Sequence, residues 1–297
     1  MTSIHRGVTL VELVVAMTVG GIVLTLVASI SVRQQRLHAD LTDRLAVGEQ
    51  LRQASTVLPI ELRGLAVDGG DLREGRDTAV EFRSTVASAV VCDTIPGGIV
   101  LAPAASGPSP FAGFLTSITD GDTAWLLTPG DSADQWTPLA IASTGTVAGG
   151  ACDSAGPSLD AAARSLRRVS LILAPVSEGV PIGSVIRATR PMRYSLYRGG
   201  DSRWYLGARD WNSAANRFNT TQPVSGPFAS AAARGLEFQY FDTSGAALAR
   251  PVVDSRDVAS IRITIRGETR RAMRAFSSAH GRAGDSAVVT LSIRNRR

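Results

Sequence analysis

Lysine does not occur in this chain. All 31 basic side chains are arginine, set against 26 carboxylates for a net charge of +5. Acids and bases are interspersed, so the sequence shows no dense basic patch of the kind that marks a nucleic-acid surface. Histidine is nearly as scarce: His5, His38 and His280 are the only three. HExxH, GxSxG, the P-loop and the dinucleotide glycine pattern are all missing, which removes zinc proteases, nucleophile-elbow hydrolases and the common nucleotide-binding classes. A His-centred catalytic set would have to use His280, in a Gly/Ser-rich turn. The residues therefore predict no enzyme and ask for no cofactor. Aromatics make up only 5% of the chain, so the core must rest on Val, Leu, Ile and Ala, within a hydrophobic content of 44% that excludes wholesale disorder.

Cysteine is limited to Cys92 and Cys152, both in a Gly/Ser/Pro-rich stretch. With no CxxC and no ligand-like histidine nearby, metal binding is not expected. If this part of the chain lies outside the cytoplasm, a disulfide is the natural reading, and closing a loop of that length contributes about 4 kcal/mol in the chain-entropy model. Two buried free thiols are the alternative, because spacing alone does not bring sulfurs together.

What the chain has in abundance is apolar sequence near its start. Residues 1–7 are short and polar, and from Val8 to Val32 a single charge, Glu12, interrupts the hydrophobic run. The part from Leu13 to Val32 is long enough to cross a hydrocarbon layer of about 30 Å as a helix. A cleaved secretory signal has a shorter apolar region without an internal acid, so a retained span is expected. A carboxylate inside such a helix costs roughly 2.5 to 3.5 kcal/mol even on the lenient insertion scale, which marks Glu12 as functional. Gly20 and Gly21, at mid-span, fit close helix packing, local melting on entry into a filament, or ordinary tolerance of glycine in membrane helices.

The run Gly7-Val8-Thr9-Leu10-Val11-Glu12-Leu13 resembles the class III signal of type IV pilins and pseudopilins. The resemblance implies cleavage between Gly7 and Val8 by a prepilin peptidase, N-methylation of Val8, and a role for Glu12 in setting register against the amine of a neighbouring subunit. Val8 departs from the family's usual Phe or Met at that position. The implied setting is a single-pass inner-membrane protein with its head in the periplasm, surrounded by lipid before assembly and later part of a pilus or pseudopilus. Implied partners are the peptidase, an inner-membrane assembly platform and other pilin-like subunits.

Beyond the span the helix is expected to continue. Leu37, Leu41 and Leu45 recur four apart, and Leu51, Ala54, Leu58, Leu62 and Leu65 form a second, rotated stripe suited to packing against a head. Pro59 is expected to kink or end it, with Gly64 as a stop. Strand patterns follow at Val80 and Phe82, at residues 90–91, 99–101 and 169–173, and in a hairpin from Met192, Tyr194 and Leu196 to Trp204 and Leu206 across Gly199-Gly200-Asp201. Leu236, Phe238 and Tyr240 alternate, as do Ile261, Ile263 and Ile265, and Val289, Leu291 and Ile293. The predicted fold class is α+β: a long N-terminal helix packed on an antiparallel β-sheet head. The organisation reads as leader 1–7, span 8–32, amphipathic continuation 33–64 and head 65–297, with a loop-rich insertion at about 92–165. The C-terminal strand pieces loosely resemble PilW-type minor pilins and J-type minor pseudopilins, and with the large size they point to a minor, tip-proximal subunit.

Smaller motifs read as turns and solvated loops. Asp68, Asp71, Glu74 and Asp77 could clasp calcium, but interleaved arginines and non-EF-hand spacing favour a solvated loop. Gly-Asp-Ser at Gly130, Gly200 and Gly284 reads as a turn each time. Two other functions stay open: a tip module binding DNA or a surface ligand, and an anchored periplasmic enzyme.

Overall fold

A computed structural model describes residues 9–67, 69–104, 111–128, 135–175, 180–272 and 282–293. One helix, α1 (Leu10–Arg63), runs for 54 residues, about 81 Å at 1.5 Å per residue. Pro59 lies inside it, buried, and the helix continues to Gly64. A proline costs one backbone donor and crowds the preceding turn, and here burial of Leu58 and Leu62 on either side outweighs that loss. The second stripe is the packing face. Leu51, Ala54, Leu58, Leu62 and Leu65 are buried, together with Val47.

The strands follow in the order β1 (Leu72–Gly75), β2 (Ala79–Ile95), β3 (Gly98–Leu101), β4 (Ala112–Phe114), β5 (Thr123–Thr128) and β6 (Gln135–Val147). A short helix, α2 (Ala161–Ser165), precedes β7 (Arg168–Ala174), β8 (Val185–Arg198), β9 (Trp204–Asn212), β10 (Arg217–Phe218) and β11 (Gln222–Phe228). The chain then forms β12 (Leu236–Phe241), β13 (Ser260–Glu268) and β14 (Gly284–Ser292). Every described pairing is antiparallel, so the α+β class with a helix-backed antiparallel head holds.

Two cores share this sheet. In the first, α1 lies across β11, β13 and β14, and its leucines meet Phe82, Phe238, Tyr240, Ile261, Ile263 and Ile265. The alternation read at Leu236, Phe238 and Tyr240 is the inward face of β12, and that of Ile261, Ile263 and Ile265 the inward face of β13. The hairpin read from the sequence is β8–β9, with Leu196 opposite Leu206 and the turn closed by the Gly199 N–H on the Arg203 carbonyl at 2.7 Å.

The second core contains no helix residue. Strand pairing runs β2–β3–β7–β6–β5–β8 and returns from β8 to β2, so the sheet closes on itself as a six-stranded antiparallel barrel. Its interior is filled by small and branched side chains, among them Val86, Val91, Ile99, Leu126, Ile141, Leu171 and Ile186. This corrects the loop-rich reading of residues 92–165, which hold β3 to β6. β6 escaped notice because only Leu139 and Ile141 of its thirteen residues are buried and Pro138 interrupts it.

β2 and β8 serve both cores. The register of β2 on β8 shifts between Thr85 and Ala87, a bulge that turns β2 from the helix-backed sheet into the barrel. Two ion pairs sit at this junction. Arg190 meets Asp122 through Nε–Oδ1 at 2.7 Å and Nη2–Oδ2 at 2.8 Å. Arg187 Nη2 meets Asp71 Oδ2 at 2.5 Å.

Candidate functional site

Among the described residues, no side chain along the apolar half of α1 is buried. Leu10, Val11, Leu13, Val14, Val15, Met17 and the following Val, Ile and Leu residues to Val32 are exposed, although they are the most hydrophobic run of the chain. Three hydroxyls within it are satisfied by the helix itself. Thr18 donates to the Val15 carbonyl at 2.9 Å, Thr25 to Ile22 at 3.0 Å and Ser29 to Leu26 at 2.8 Å. A helix with its backbone and hydroxyls internally paired and its apolar side chains bare is matched to lipid or to other helices, not to water. Gly20 and Gly21 face open space, so they pack against nothing within this chain.

The helix begins at a capping box. Thr9 is the N-cap with extended backbone (φ −77°, ψ 150°). Its Oγ1 accepts from the Glu12 N–H at 3.2 Å, and Glu12 Oε2 accepts from the Thr9 N–H at 3.2 Å and from the Thr9 hydroxyl at the same distance. Two donors that the helix end leaves orphaned are thereby paired. The carboxylate also sits at the positive end of the helix dipole. This second role of Glu12 was not read from the sequence, although Thr-x-x-Glu before an apolar run is its ordinary signature. Gly7 and Val8 lie outside the described residues, as do His5, Asp68, Gly130 and His280.

Other predicted residues have separate places. Cys92 and Cys152 are joined as a disulfide with a Cα–Cα distance of 4.7 Å, where the end of β2 meets the segment before α2. Asp153 N–H donates to the Cys92 carbonyl at 3.0 Å, and Leu159 and Ala163 cover the bond. Asp71 is not in a solvated loop. It is buried, and besides Arg187 it accepts from the Ala66 N–H at 2.7 Å, tying the end of α1 to the barrel junction. Glu74, on β1, pairs with Arg76. Among the described residues no three His, Cys, Asp or Glu side chains cluster as metal ligands. Gly200-Asp201-Ser202 is the β8–β9 turn, whereas Gly284-Asp285-Ser286 opens β14 and is not a turn.

The principal feature available for function is therefore the bare helix and its capped start. No curated protein and no solved structure matches the chain. Residues 3–28 match the model of the prokaryotic N-terminal methylation motif, so the helix that the head leaves uncovered is headed by a type IV pilin-like prepilin signal.

Proposed function

We propose that this protein is a minor, non-enzymatic pilin-like subunit, trimmed between Gly7 and Val8 by a prepilin peptidase and assembled through α1 into a type IV pilus or type II secretion pseudopilus. The observation that carries the reading is the 23-residue run from Leu10 to Val32, in which no residue is buried and Glu12 is the single charge. Before assembly this segment crosses the inner membrane, with the head on the periplasmic side. In the filament it exchanges lipid for neighbouring helices. Cleavage creates an amine on Val8, and methylation keeps it cationic. Glu12 of one subunit then answers the amine of the next, and any other stagger strands a charge in a low-dielectric bundle. The barrel beyond the end of α1 supports a tip-proximal place, because it adds bulk at the end of the head away from the span. The disulfide at that end suits an oxidising compartment.

Intact-mass analysis of membrane-extracted protein tests the reading directly. The mature chain is expected to begin at Val8, and Glu12→Ala is expected to be cleaved normally yet to fail to enter filaments. A chain that keeps residues 1–7 beside an active peptidase would overturn it.

A further inference from the structure

Aromatic side chains are few in this chain, yet Tyr197, Tyr205, Trp211 and Phe218 belong to none of its hydrophobic cores. Alternation along β8 turns Tyr194 and Leu196 towards the helix-backed core and Arg193 and Tyr197 away from it. Along β9 it turns Leu206 and Ala208 inward and Tyr205, Arg209 and Trp211 outward. Tyr197 crosses the bare backbone of Gly207, where a Cβ would lie 2.7 Å from its ring. Tyr205 is fixed by its hydroxyl, which donates to Asp201 at 2.6 Å, and its ring centroid lies 5.9 Å from that of Tyr197. Trp211 and Phe218, cross-strand partners on β9 and β10, meet edge to face at 5.1 Å. All four rings are half-buried.

The same face carries a pair of like charges. Arg193 on β8 and Arg209 on β9 stand directly opposite each other in the ladder, an arrangement that costs stability when nothing answers it. Arg209 donates from Nε to the Thr221 hydroxyl at 2.5 Å, and among the described residues neither guanidinium pairs with a carboxylate. The carboxylates of this face and its rim are engaged elsewhere: Asp71 with Arg187, Glu74 with Arg76, Glu81 with Arg73 and Asp201 with Arg203. Arg83 adds a cation, stacked over the Trp125 ring at 4.9 Å, and Asp77 in the β1–β2 turn adds an acid. The positive balance therefore rests on Arg193 and Arg209.

We propose that this outer face of β8, β9 and β10 binds single-stranded nucleic acid, with bases stacked on its rings and phosphates held by Arg193 and Arg209. Along β9, Tyr205, Gly207, Arg209 and Trp211 set out ring, gap, guanidinium and ring over about 20 Å, at roughly 3.3 Å per residue. Stacking platforms interleaved with positive charge hold single strands with little regard to sequence. Guanidinium groups add charge-assisted, often bidentate hydrogen bonds to phosphate oxygens. A duplex hides the faces of its bases, and an acidic peptide would answer the arginines but leave the rings unused. The face points away from α1, so binding does not depend on whether that helix lies in lipid or among other helices.

The test uses the full-length chain in phosphatidylcholine nanodiscs and a fluorescein-labelled oligothymidine of about 20 nucleotides, read by anisotropy. A Kd on the order of 10 μM or tighter is expected in about 50 mM salt, weakening as salt rises. Trp211→Ala should weaken binding about tenfold, and Trp211→Phe, which keeps a ring face, less than about threefold. Arg209→Glu should weaken it at least tenfold and flatten the salt dependence, a second reading should loss of Trp211 disturb the hairpin. Arg217→Glu makes the same change of charge on the opposite face of β10 from Phe218 and should leave binding within about threefold. No binding of the oligonucleotide overturns the proposal, as does equal affinity for a duplex of that length or for poly-glutamate. Equal losses in Arg209→Glu and Arg217→Glu also overturn it, because they report bulk charge alone.

Discussion

Glu12 holds the first turn of α1 closed through Thr9, and the assembly reading asks the same carboxylate to reach a neighbour's amine. The two roles are compatible because its bonds to Thr9, at 3.2 Å, are long and surface-exposed. Other residues behave in ways that sequence hid. Asp71 looked solvated because its partner, Arg187, is 116 positions away. Tyr194 and Tyr240 are held well above the ordinary phenol range by burial, and Tyr205 is raised by donating to Asp201 at 2.6 Å. A phenol whose pKa is raised on folding contributes stability that is complete below its unfolded value, near 10, and is lost as pH rises through the folded one. Alkaline titration followed at 295 nm should therefore fall well short of four phenolates near pH 11 while the head is folded. Denaturant at that pH should release the remainder. Four tyrosines ionising together without unfolding would contradict the packing around Phe238 and Phe82.

At the scale of elements, α1 and β13 are fitted to each other through a missing side chain. Gly267 is buried against Val47 and Leu51, and a Cβ added there would displace the Val47 side chain. Gly267→Val should lower stability by about 1 to 3 kcal/mol, the usual cost of overpacking a filled core. Gly113→Ala on β4, where nothing lies within 4 Å, should change it by less than about 0.5 kcal/mol. Thermal unfolding of the two variants provides the comparison, and similar midpoints would dissociate helix seating from Gly267. Helical stripes and the alternating strands β12 and β13 were legible because each buries one regular face. β6 was not, since it exposes most of its length and has too few apolar positions to set a period. The long β2 read as two separate strands because its bulge, between Thr85 and Ala87, breaks the alternation.

For the whole molecule, the closed barrel is the part with no helix to back it, and the disulfide sits at its edge. Sixty residues separate Cys92 from Cys152, and opening a loop of that size is worth up to about 4 kcal/mol in the chain-entropy model. Cys152→Ser, or reduction, should loosen the barrel core first. Hydrogen exchange should rise in β3, β6 and β7 while β12 and β13 stay protected. Equal loosening of both cores would mean that the two unfold as one unit. The primary structure by itself determined the long apolar helix, its acidic residue within an N-terminal methylation motif, and the α+β order, because each is local and written in composition and period. Only the tertiary structure decided the barrel and the burial of Asp71. Those depend on strand closure and on residues far apart in the chain, whose meeting no local pattern encodes.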